Sequence, residues 1–278
     1  MKEYILNHAR VLELLPDRDP WAHKGNFGRL LLLCGSLGYT GAAALAAMGS
    51  LRCGGGLVYL GVPESIYAIE AVKLTEAIVF PLPDHGGTLS VEASNEIISR
   101  LSNMDVVLVG PGWGQFEGTL KALEVVMEHF SGPVVVDADG INLLARHKDL
   151  LRRRQGITVL TPHPGEFSRL APEYQDHPEK FAADYGCILV LKGHETLITD
   201  GNSSYRNTTG NPGMAVGGSG DVLAGMITAL LAQGLKPLEA AAVGAWLHGK
   251  AGDLSAQRLG QYAMLPTDLL EDLPRLLK

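Results

Sequence analysis

The sequence predicts an α/β fold, a three-layer α/β/α sandwich in which helices cover both faces of a mostly parallel central sheet. Two observations carry this prediction: short apolar runs alternate with helix-length segments along most of the 278 residues, and the runs show no polar alternation. Strands that are apolar on both faces belong to parallel sheets buried between two layers of helices. No linker, low-complexity block or repeat interrupts the pattern, so residues 1–278 are expected to form a single domain.

Runs rich in leucine or β-branched residues predict the buried parallel strands. They are Arg29–Cys34, Leu57–Val62, Asp105–Val109, Val134–Val136, Ile157–Leu160 and Cys187–Leu191. Two further runs, Thr196–Thr199 and Ser203–Arg206, flank the turn sequence Asp-Gly-Asn, which predicts a hairpin. This hairpin is expected to add an antiparallel edge to the sheet.

The segments between and after these strands have helical periodicity. They are Ala42–Leu51, Ser90–Leu101, Thr119–Phe130, Ile141–Leu144, Asp221–Gln233, Leu238–Asp253 and Thr267–Leu277. Within them, the alanine- and glycine-rich stretch 240–252 could bury a helix face either inside the chain or between subunits.

Charge and cysteine content exclude several classes of protein. Lys and Arg number 23 against 30 Asp and Glu, a net charge of −7, and such an acidic surface disfavours nucleic acid as the main partner. The three cysteines have no zinc or disulfide spacing, which indicates reduced thiols in the cytoplasm. The first residues lack the apolar core of a signal peptide, and no apolar run reaches the ~18 residues of a membrane span.

Glycine and polar residues follow most of the predicted strands. Open parallel sheets bind ligands outside the carboxyl ends of their strands, so these exits predict a binding crevice. The exits are Gly35-Ser36, Gly110-Pro111-Gly112, Asp137-Ala138-Asp139, the stretch from Thr161 to Glu166, and Lys192-Gly193.

The strongest single signal is the run Gly217, Gly218, Ser219, Gly220 and Asp221, which leads into an apolar helix. Small residues let backbone N–H groups converge at a helix N-terminus, where the helix dipole favours anions, so residues 217–220 predict an anion hole for phosphate. Asp221 is the candidate catalytic base, because a carboxylate there can take the proton of an alcohol that attacks a phosphoryl group. The alternative, an aspartate that only caps the helix, is disfavoured by the three glycines before it.

Two familiar phosphate-binding patterns are excluded. Residues 244–251 approach the pattern G-x-x-x-x-G-K-[ST], but they end in Ala251 and lie in an alanine-rich helical run, which indicates a helix-packing face. The first strand is not followed by G-x-G-x-x-G, which argues against a dinucleotide-binding dehydrogenase.

Charged residues at three other strand exits leave alternatives open. Glu166 could hold a hydrated Mg²⁺ through water or simply favour the first turn of a helix, and His163 beside it could be a ligand or a bystander. Lys192 could reach phosphate oxygens or be a solvated turn lysine. Asp137 and Asp139 are interpreted as turn-forming or helix-capping residues in preference to ligands.

Taken in order, the motifs resemble those of the ADP/ATP-dependent NAD(P)H-hydrate dehydratases, in the ribokinase-like superfamily of carbohydrate kinase-related proteins. The resemblance covers nearly the whole chain. It rests on His23-Lys24-Gly25 before RLLLLCGS, Gly41-Ala42-Ala43, the stretch 51–57, Gly110-Pro111-Gly112, Asp137-Ala138-Asp139, TPHPGE, VLKGHET and NPGMAVGGSGDVLAG. H-P-G-E stands where the superfamily's sugar and vitamin kinases carry N-x-x-E, so His163 replaces their asparagine.

The resemblance implies a lyase that uses ADP or ATP with Mg²⁺ to restore hydrated NADH or NADPH, by phosphorylating the ring hydroxyl and eliminating phosphate. It assigns Ala42, Gly112, His163 and Asp221 to the hydrate, and Lys192, Gly193, His194, Glu195, Thr196 and Gly220 to the nucleotide. Because the family tends to form tetramers, the resemblance favours a homotetramer, but the sequence leaves the oligomeric state open. The chain begins at the dehydratase signature, so an epimerase domain is not expected. The choice between ADP and ATP, and between the two hydrates, is open.

Two other functions are weighed against the dehydratase. One is a kinase of the same fold that phosphorylates a vitamin precursor or a sugar and releases a stable product, and His163 argues against it. The other is a nucleotide-sensing module without catalysis, which the combination of acid, lysine and glycine loop disfavours.

Overall fold

The computed structural model describes residues 2–277 and places a ten-stranded sheet at the centre of the chain. Met1 and Lys278, the two ends of the predicted domain, lie outside the described residues. The strands are β1 (Lys2–Tyr4), β2 (Arg29–Leu33), β3 (Leu57–Pro63), β4 (Ile78–Leu82), β5 (Asp84–His85), β6 (Thr88–Leu89), β7 (Val106–Val109), β8 (Val134–Val136), β9 (Thr158–Leu160), β10 (Ile188–Leu191), β11 (Thr196–Thr199) and β12 (Ser203–Asn207).

The strand order in the large sheet is β1-β12-β11-β10-β9-β8-β7-β2-β3-β4, and β5 pairs with β6 in a separate ribbon. Every pair from β10 to β4 is parallel, whereas β11 runs antiparallel to both of its neighbours. The predicted hairpin and its antiparallel pairing are therefore confirmed, but the hairpin is not the edge of the sheet. The sequence missed β1, which pairs in parallel with β12 beyond the hairpin, and β4 at the opposite edge.

Helices cover both faces of this sheet. They are α1 (His8–Leu14), α2 (Thr40–Arg52), α3 (Glu64–Lys73), α4 (Ala93–Leu101), α5 (Glu117–His129), α6 (Asp139–Arg146), α7 (Asp149–Arg153), α8 (Pro164–Leu170), α9 (Pro178–Tyr185), α10 (Ser219–Ala232), α11 (Pro237–Leu259) and α12 (Pro266–Asp272). The predicted last helix is shorter than expected because Pro274 cannot continue an α-helix, and a 3₁₀ turn follows. None of the helices in residues 2–277 combines the length and apolar character needed to cross a bilayer.

Alternate residues of β2 show why the sheet has two covered faces. Leu30 and Leu32 pack into a cluster with α2, α10 and α11, whereas Leu31 and Leu33 pack into a second cluster with α4, α5 and α6. All four side chains are fully buried. Burial on both faces confirms the predicted three-layer sandwich.

The order of the strands fixes where a ligand can approach. The chain starts the parallel sheet at β2, adds β3 and β4 on one side, and then crosses over to add β7, β8, β9 and β10 on the other. The carboxyl ends of β2 and β7 therefore flank a topological switch point, the usual position of a binding crevice in an open α/β sheet.

Helices α2 and α10 lie unusually close together. Gly49 faces the backbone of Val222, and Gly225 faces that of Ala46, so a Cβ at either glycine would overlap a carbonyl oxygen. The buried Ser50 hydroxyl donates to the carbonyl oxygens of Ala46 and Gly225, both at 3.0 Å. Helix α11 then packs on α10, and its stretch 240–252, apart from Lys250, is buried within the chain itself.

We expect Gly225→Ala to force α2 and α10 apart and to lower the free energy of unfolding by about 1–3 kcal/mol, the usual cost of overpacking a core. Thermal denaturation would measure the loss. Gly41→Ala is the matched control, because Gly41 lies in the same α2 with open space around its Cα. An unchanged melting temperature for Gly225→Ala would show that the two helices are not in this contact.

Candidate active site

The exits of β8, β9 and β10 bring three charged side chains together at the carboxyl edge of the sheet. Lys192 places its Nζ 3.0 Å from Oδ1 of Asp137 and 4.0 Å from Oε2 of Glu166. Asp137 is almost fully buried and also accepts a hydrogen bond of 2.7 Å from the Thr161 hydroxyl. Lys192 is therefore a largely buried cation between two carboxylates and not a solvated turn lysine.

The charge of Lys192 is stabilised by its neighbours. Burial alone would lower its pKa, but the charges of Asp137 and Glu166, together with the hydrogen bond to Asp137, raise the pKa of Lys192 above its ordinary value. The ammonium group therefore stays protonated at neutral pH.

The backbone at Ala138 separates two carboxylates that serve different parts of the site. Ala138 has φ +49° and ψ −119°, and it is the one non-glycine residue with positive φ in the described chain. Asp137 points to Lys192 on one side, and Oδ2 of Asp139 accepts a hydrogen bond of 2.8 Å from the Gly114 amide on the other. Neither aspartate caps α6 through its side chain, so the sequence interpretation of both as turn-forming or helix-capping residues misses what their carboxylates contact.

Asp221 lies in the first turn of α10 with its carboxylate unpaired. Burial, reinforced by the negative charge of Asp137, raises the pKa of Asp221 to about 7, and Lys192 acts in the opposite direction. The carboxylate accepts no hydrogen bond from residues 2–277. A carboxylate that titrates near neutrality and is free to take a proton suits general-base chemistry.

The glycine loop before Asp221 leaves backbone donors free. Gly218 caps α10 with φ +97°, a conformation that favours glycine, and a Cβ there would overlap the Leu45 side chain. The amides of Gly217, Gly218 and Gly220 have no acceptor in the described part of the chain, whereas the Ser219 amide donates to the Val216 carbonyl at 3.3 Å. The predicted anion hole thus has its glycine amides available, and the Ser219 amide is already engaged.

Gly220 brings this loop next to the lysine. A Cβ on Gly220 would lie 3.3 Å from Nζ of Lys192 and 3.7 Å from Oδ2 of Asp137. An anion that accepts hydrogen bonds from the loop amides would therefore also lie close to the Lys192 ammonium group.

A cavity of about 700 Å³ opens beside the loop, within the ~300–1,000 Å³ range of ligand pockets. The cavity is lined by most of the residues predicted to contact the nucleotide, which are Lys192, Gly193, His194, Thr196 and Gly220. It is also lined by His163, which is predicted to contact the hydrate. The exception is Glu195, which does not line the cavity and whose Oε2 lies 3.8 Å from Nη1 of Arg206.

Two of the residues predicted to contact the hydrate lie elsewhere, at the switch point between β2 and β7. Gly112 has φ +67°, and a Cβ there would lie 2.9 Å from the Cβ of Ala42. The Ser36 hydroxyl holds this loop by donating to the Gly112 carbonyl at 2.7 Å. One turn further along α2, Leu45 reaches Gly218, so α2 connects the switch point to the anion loop.

His163 and Glu166 form a reciprocal cap at the start of α8. The Gly165 amide donates to Nδ1 of His163 at 3.0 Å, and the His163 amide donates to Oε2 of Glu166 at 2.8 Å. The His163 side chain is 52% exposed and its Nε2 lies 3.6 Å from Oε1 of Glu166. The histidine ring therefore stands at the rim of the cavity with one nitrogen held by the cap.

Sequence reasoning discounted one residue of the site and missed another. Asp137 follows a strand, as Lys192 does, but the sequence interpretation prefers a turn-forming or helix-capping role for it over that of a ligand. His248 lines the cavity from the middle of α11, within the stretch 244–251 that the sequence indicates only as a helix-packing face.

We expect Asp221→Asn to stabilise the protein at and above neutral pH. Because the pKa of Asp221 is raised from 3.8 to about 7, the native state retains a proton that the unfolded state loses between these values. The contribution of this retained proton to the free energy of unfolding is full below pH 3.8 and is lost as the pH rises to about 7. The free energy of unfolding of the variant should therefore rise relative to that of the wild type across that range, by up to about 4 kcal/mol. Thermal melts from pH 4 to 8 would show a constant difference if this were wrong.

Comparison with known proteins agrees with the motifs. A family model described as NAD(P)H-hydrate dehydratase matches residues 30–275. A bifunctional NAD(P)H-hydrate repair enzyme from Moorella thermoacetica is 45% identical over 99% of this chain and 54% of that protein. The corresponding Escherichia coli enzyme is 39% identical over 94% of this chain and 50% of its own length. This chain spans about half the length of these curated relatives.

Solved structures show the same fold. The ADP/ATP-dependent NAD(P)H-hydrate dehydratase from Bacillus subtilis, co-crystallised with ATP and Mg²⁺, has a TM-score of 0.81 and 30% identity over 97% of this chain and 96% of that one. A ribokinase-like superfamily protein from Enterococcus faecalis has a TM-score of 0.87 and 28% identity, covering 99% of this chain and 95% of that one. The resemblance inferred from the motifs is confirmed, and the chain belongs to the NAD(P)H-hydrate dehydratase family, with a ribokinase-like fold.

Proposed function

We propose that this chain catalyses the ADP- or ATP-dependent dehydration of the S-epimer of hydrated NADH or NADPH, releasing phosphate with AMP or ADP. The observation that carries the proposal is the unpaired Asp221 carboxylate, whose pKa is about 7, at the mouth of a helix where the amides of the glycine loop are free. Family membership supplies the substrate, and the adjoining cavity has the volume of a ligand pocket.

In this proposal the nucleotide lies in the cavity with its phosphates towards the loop. The residues that contact it are Lys192, Gly193, His194, Glu195, Thr196 and Gly220. Lys192 and the amides of Gly217, Gly218 and Gly220 bind the phosphate that is transferred and stabilise the charge that develops on it. The proximity of Gly220 to the ammonium group supports this arrangement.

The hydrate binds on the side of the site nearest the switch point, against Ala42 and Gly112, with His163 at the opposite rim. The hydroxyl of the hydrated ring lies next to Asp221. Asp221 takes the hydroxyl proton while the oxygen attacks the terminal phosphorus, and the bond to AMP or ADP breaks. Phosphate then leaves the ring with the C–O electron pair as a neighbouring ring carbon loses a proton, which restores the double bond. Phosphorylation is needed because hydroxide is a poor leaving group.

The residues of this site fit an Mg²⁺ ion that binds together with the nucleotide phosphates. Residues 2–277 contain no group of three or more His, Cys, Asp or Glu arranged to hold a metal, but Mg²⁺ at a phosphate site commonly takes only one or two carboxylates and keeps several waters. Glu166, buried and 4.0 Å from Lys192, is the carboxylate that would hold the ion through water. Bound there, Mg²⁺ would neutralise phosphate charge.

The proposal also includes the assembly and location of the protein. We place it in the cytoplasm as a homotetramer that acts on two small molecules and binds neither nucleic acid nor membrane. Its acidic net charge of −7 supports the exclusion of nucleic acid. Light scattering of the purified protein would measure the mass of the assembly.

The proposed reaction is tested by incubating the protein with hydrated NADH or NADPH, Mg²⁺ and either ADP or ATP. We expect the absorbance of the reduced nicotinamide to return, with one phosphate released per ring restored, and chelation of Mg²⁺ to abolish the reaction. A phosphorylated alcohol that accumulates in place of free phosphate would indicate a kinase. Nucleotide binding without turnover would indicate a sensing module.

Asp221→Asn should lower kcat by about 10²–10⁴-fold, the usual contribution of a general base, while the variant stays folded and binds nucleotide. Steady-state kinetics at saturating nucleotide would measure the loss, and circular dichroism would check the fold. Turnover close to that of the wild type would remove Asp221 as the base.

The pH dependence of kcat/KM should follow the ionisation of Asp221. For the wild type we expect a decline below about pH 7, where the base becomes protonated. Lys192→Met removes a positive charge that favours the carboxylate, so the decline should move to higher pH by about 1 unit. Asp137→Asn removes a negative charge that disfavours it, so the decline should move to lower pH. Shifts in the same direction for both variants would contradict this charge arrangement.

A further inference from the structure

A buried serine of the anion loop and a buried histidine of α11 are in contact. Oγ of Ser219, the first residue of α10, lies 3.3 Å from Nε2 of His248 in α11. Each residue is only 8% exposed, and both line the cavity beside the loop. Neither side chain has a part in the reaction described above.

Ser219 differs from the other members of the loop in what it can offer to a ligand. Its amide already donates to the Val216 carbonyl, whereas the amides of its glycine neighbours have no acceptor in residues 2–277. The free polar group of Ser219 in the cavity is therefore its hydroxyl. A serine hydroxyl has a single proton, so it binds an anion by donating that proton, and a second group that donates to its oxygen would hold the hydroxyl in this orientation.

His248 can provide that second donor. Burial lowers the pKa of the His248 ring to about 4, so the ring is neutral at physiological pH and carries one proton. A neutral imidazole protonated on Nε2 donates to the serine oxygen. The same ring protonated on Nδ1 would accept the serine proton and turn the oxygen lone pairs towards the cavity, where they would repel phosphate.

We propose that the Ser219 hydroxyl donates a hydrogen bond to a phosphate of the bound nucleotide, and that His248 is the positioning residue that orients it by donating Nε2–H to Ser219 Oγ. The identity of the ligand as an adenine nucleotide rests on the proposed function. The anion hole then consists of glycine amides, one side-chain hydroxyl and the Lys192 ammonium group. His248 does not itself contact the reacting atoms.

The first test measures the affinity of the protein for ADP, ATP and adenosine, each with Mg²⁺, by calorimetry. Ser219→Ala should raise the Kd of ADP and ATP about tenfold, the loss of one hydrogen bond to a charged group, and leave adenosine binding unchanged. Thr228→Val is the matched control, because it removes another buried hydroxyl from α10, one that donates to the Ala224 carbonyl and does not line the cavity. Equal losses for all three ligands, or no loss for ADP and ATP, would overturn the proposal.

The second test asks whether His248 acts through Ser219. His248→Met should weaken ADP binding to the same extent as Ser219→Ala, and His248→Gln, whose amide can donate to Oγ, should recover most of the affinity. The double variant Ser219→Ala with His248→Met should bind ADP no more weakly than Ser219→Ala alone. Additive losses would instead indicate a purely structural role for the histidine.

The tautomer of His248 can also be measured in the wild-type protein, which does not require the His248 variants to fold. The ¹⁵N NMR shifts of the His248 ring at pH 7 should report the neutral tautomer protonated on Nε2, and the Nδ1-protonated tautomer would overturn the inference. These readouts do not depend on dehydration. A protein that shows them without restoring hydrated NADH would contradict the proposed reaction alone, and an active enzyme without them would contradict this inference alone.

Discussion

The buried ion pair between Lys192 and Asp137 is the interaction to which the other charged groups of the site are coupled. Pairs of this kind add little net stability, because removing both charges from water costs about as much as their attraction returns. Here the pair matters for the charges around it: Asp137 makes Asp221 harder to ionise and Lys192 makes it easier. The lysine also keeps its own proton because Asp137 and Glu166 flank it. Together with burial, which is the largest cause of the raised pKa of Asp221, this arrangement gives Asp221 a pKa of about 7 and keeps a positive charge beside the loop.

The position of Asp221 depends on the packing of two helices on the same face of the sheet. Helix α2 starts at the switch point with Ala42 and reaches the anion loop with Leu45, and α10 begins at that loop. The glycines where the two helices touch allow an approach that no larger residue would permit. The switch point and the cavity beside the anion loop are therefore connected through these two helices, and their separation is fixed by backbone contacts. The proposed phosphoryl transfer would require that kind of rigidity, because its catalysis consists mostly of positioning and charge stabilisation.

The sequence predicted the layers of the fold and the glycine loop because both depend on local patterns. Strands such as Val134–Val136 are apolar on both faces, and no tertiary information is needed to recognise them. The edge strand β1 was missed because three exposed residues become a strand only through pairing with β12, a distant part of the chain. The same limit applies within the site. The contact of Asp137 with Lys192 joins residues 55 positions apart, and the place of His248 depends on how α11 packs on α10, which no spacing in the sequence reveals.

The turn at Ala138 has an energetic consequence for the whole protein. A residue with a Cβ in that region of backbone space costs about 1–3 kcal/mol relative to a relaxed conformation. The chain retains the turn because it aims Asp137 at the lysine and Asp139 at the Gly114 loop at once. Folding must supply this free energy from elsewhere, so the native state is less stable than the same architecture with an unstrained β8 exit would be. Part of the thermal robustness of the molecule is thus given up to aim two acidic groups, two positions apart in the sequence, at different neighbours, the Lys192 ammonium group and the Gly114 amide.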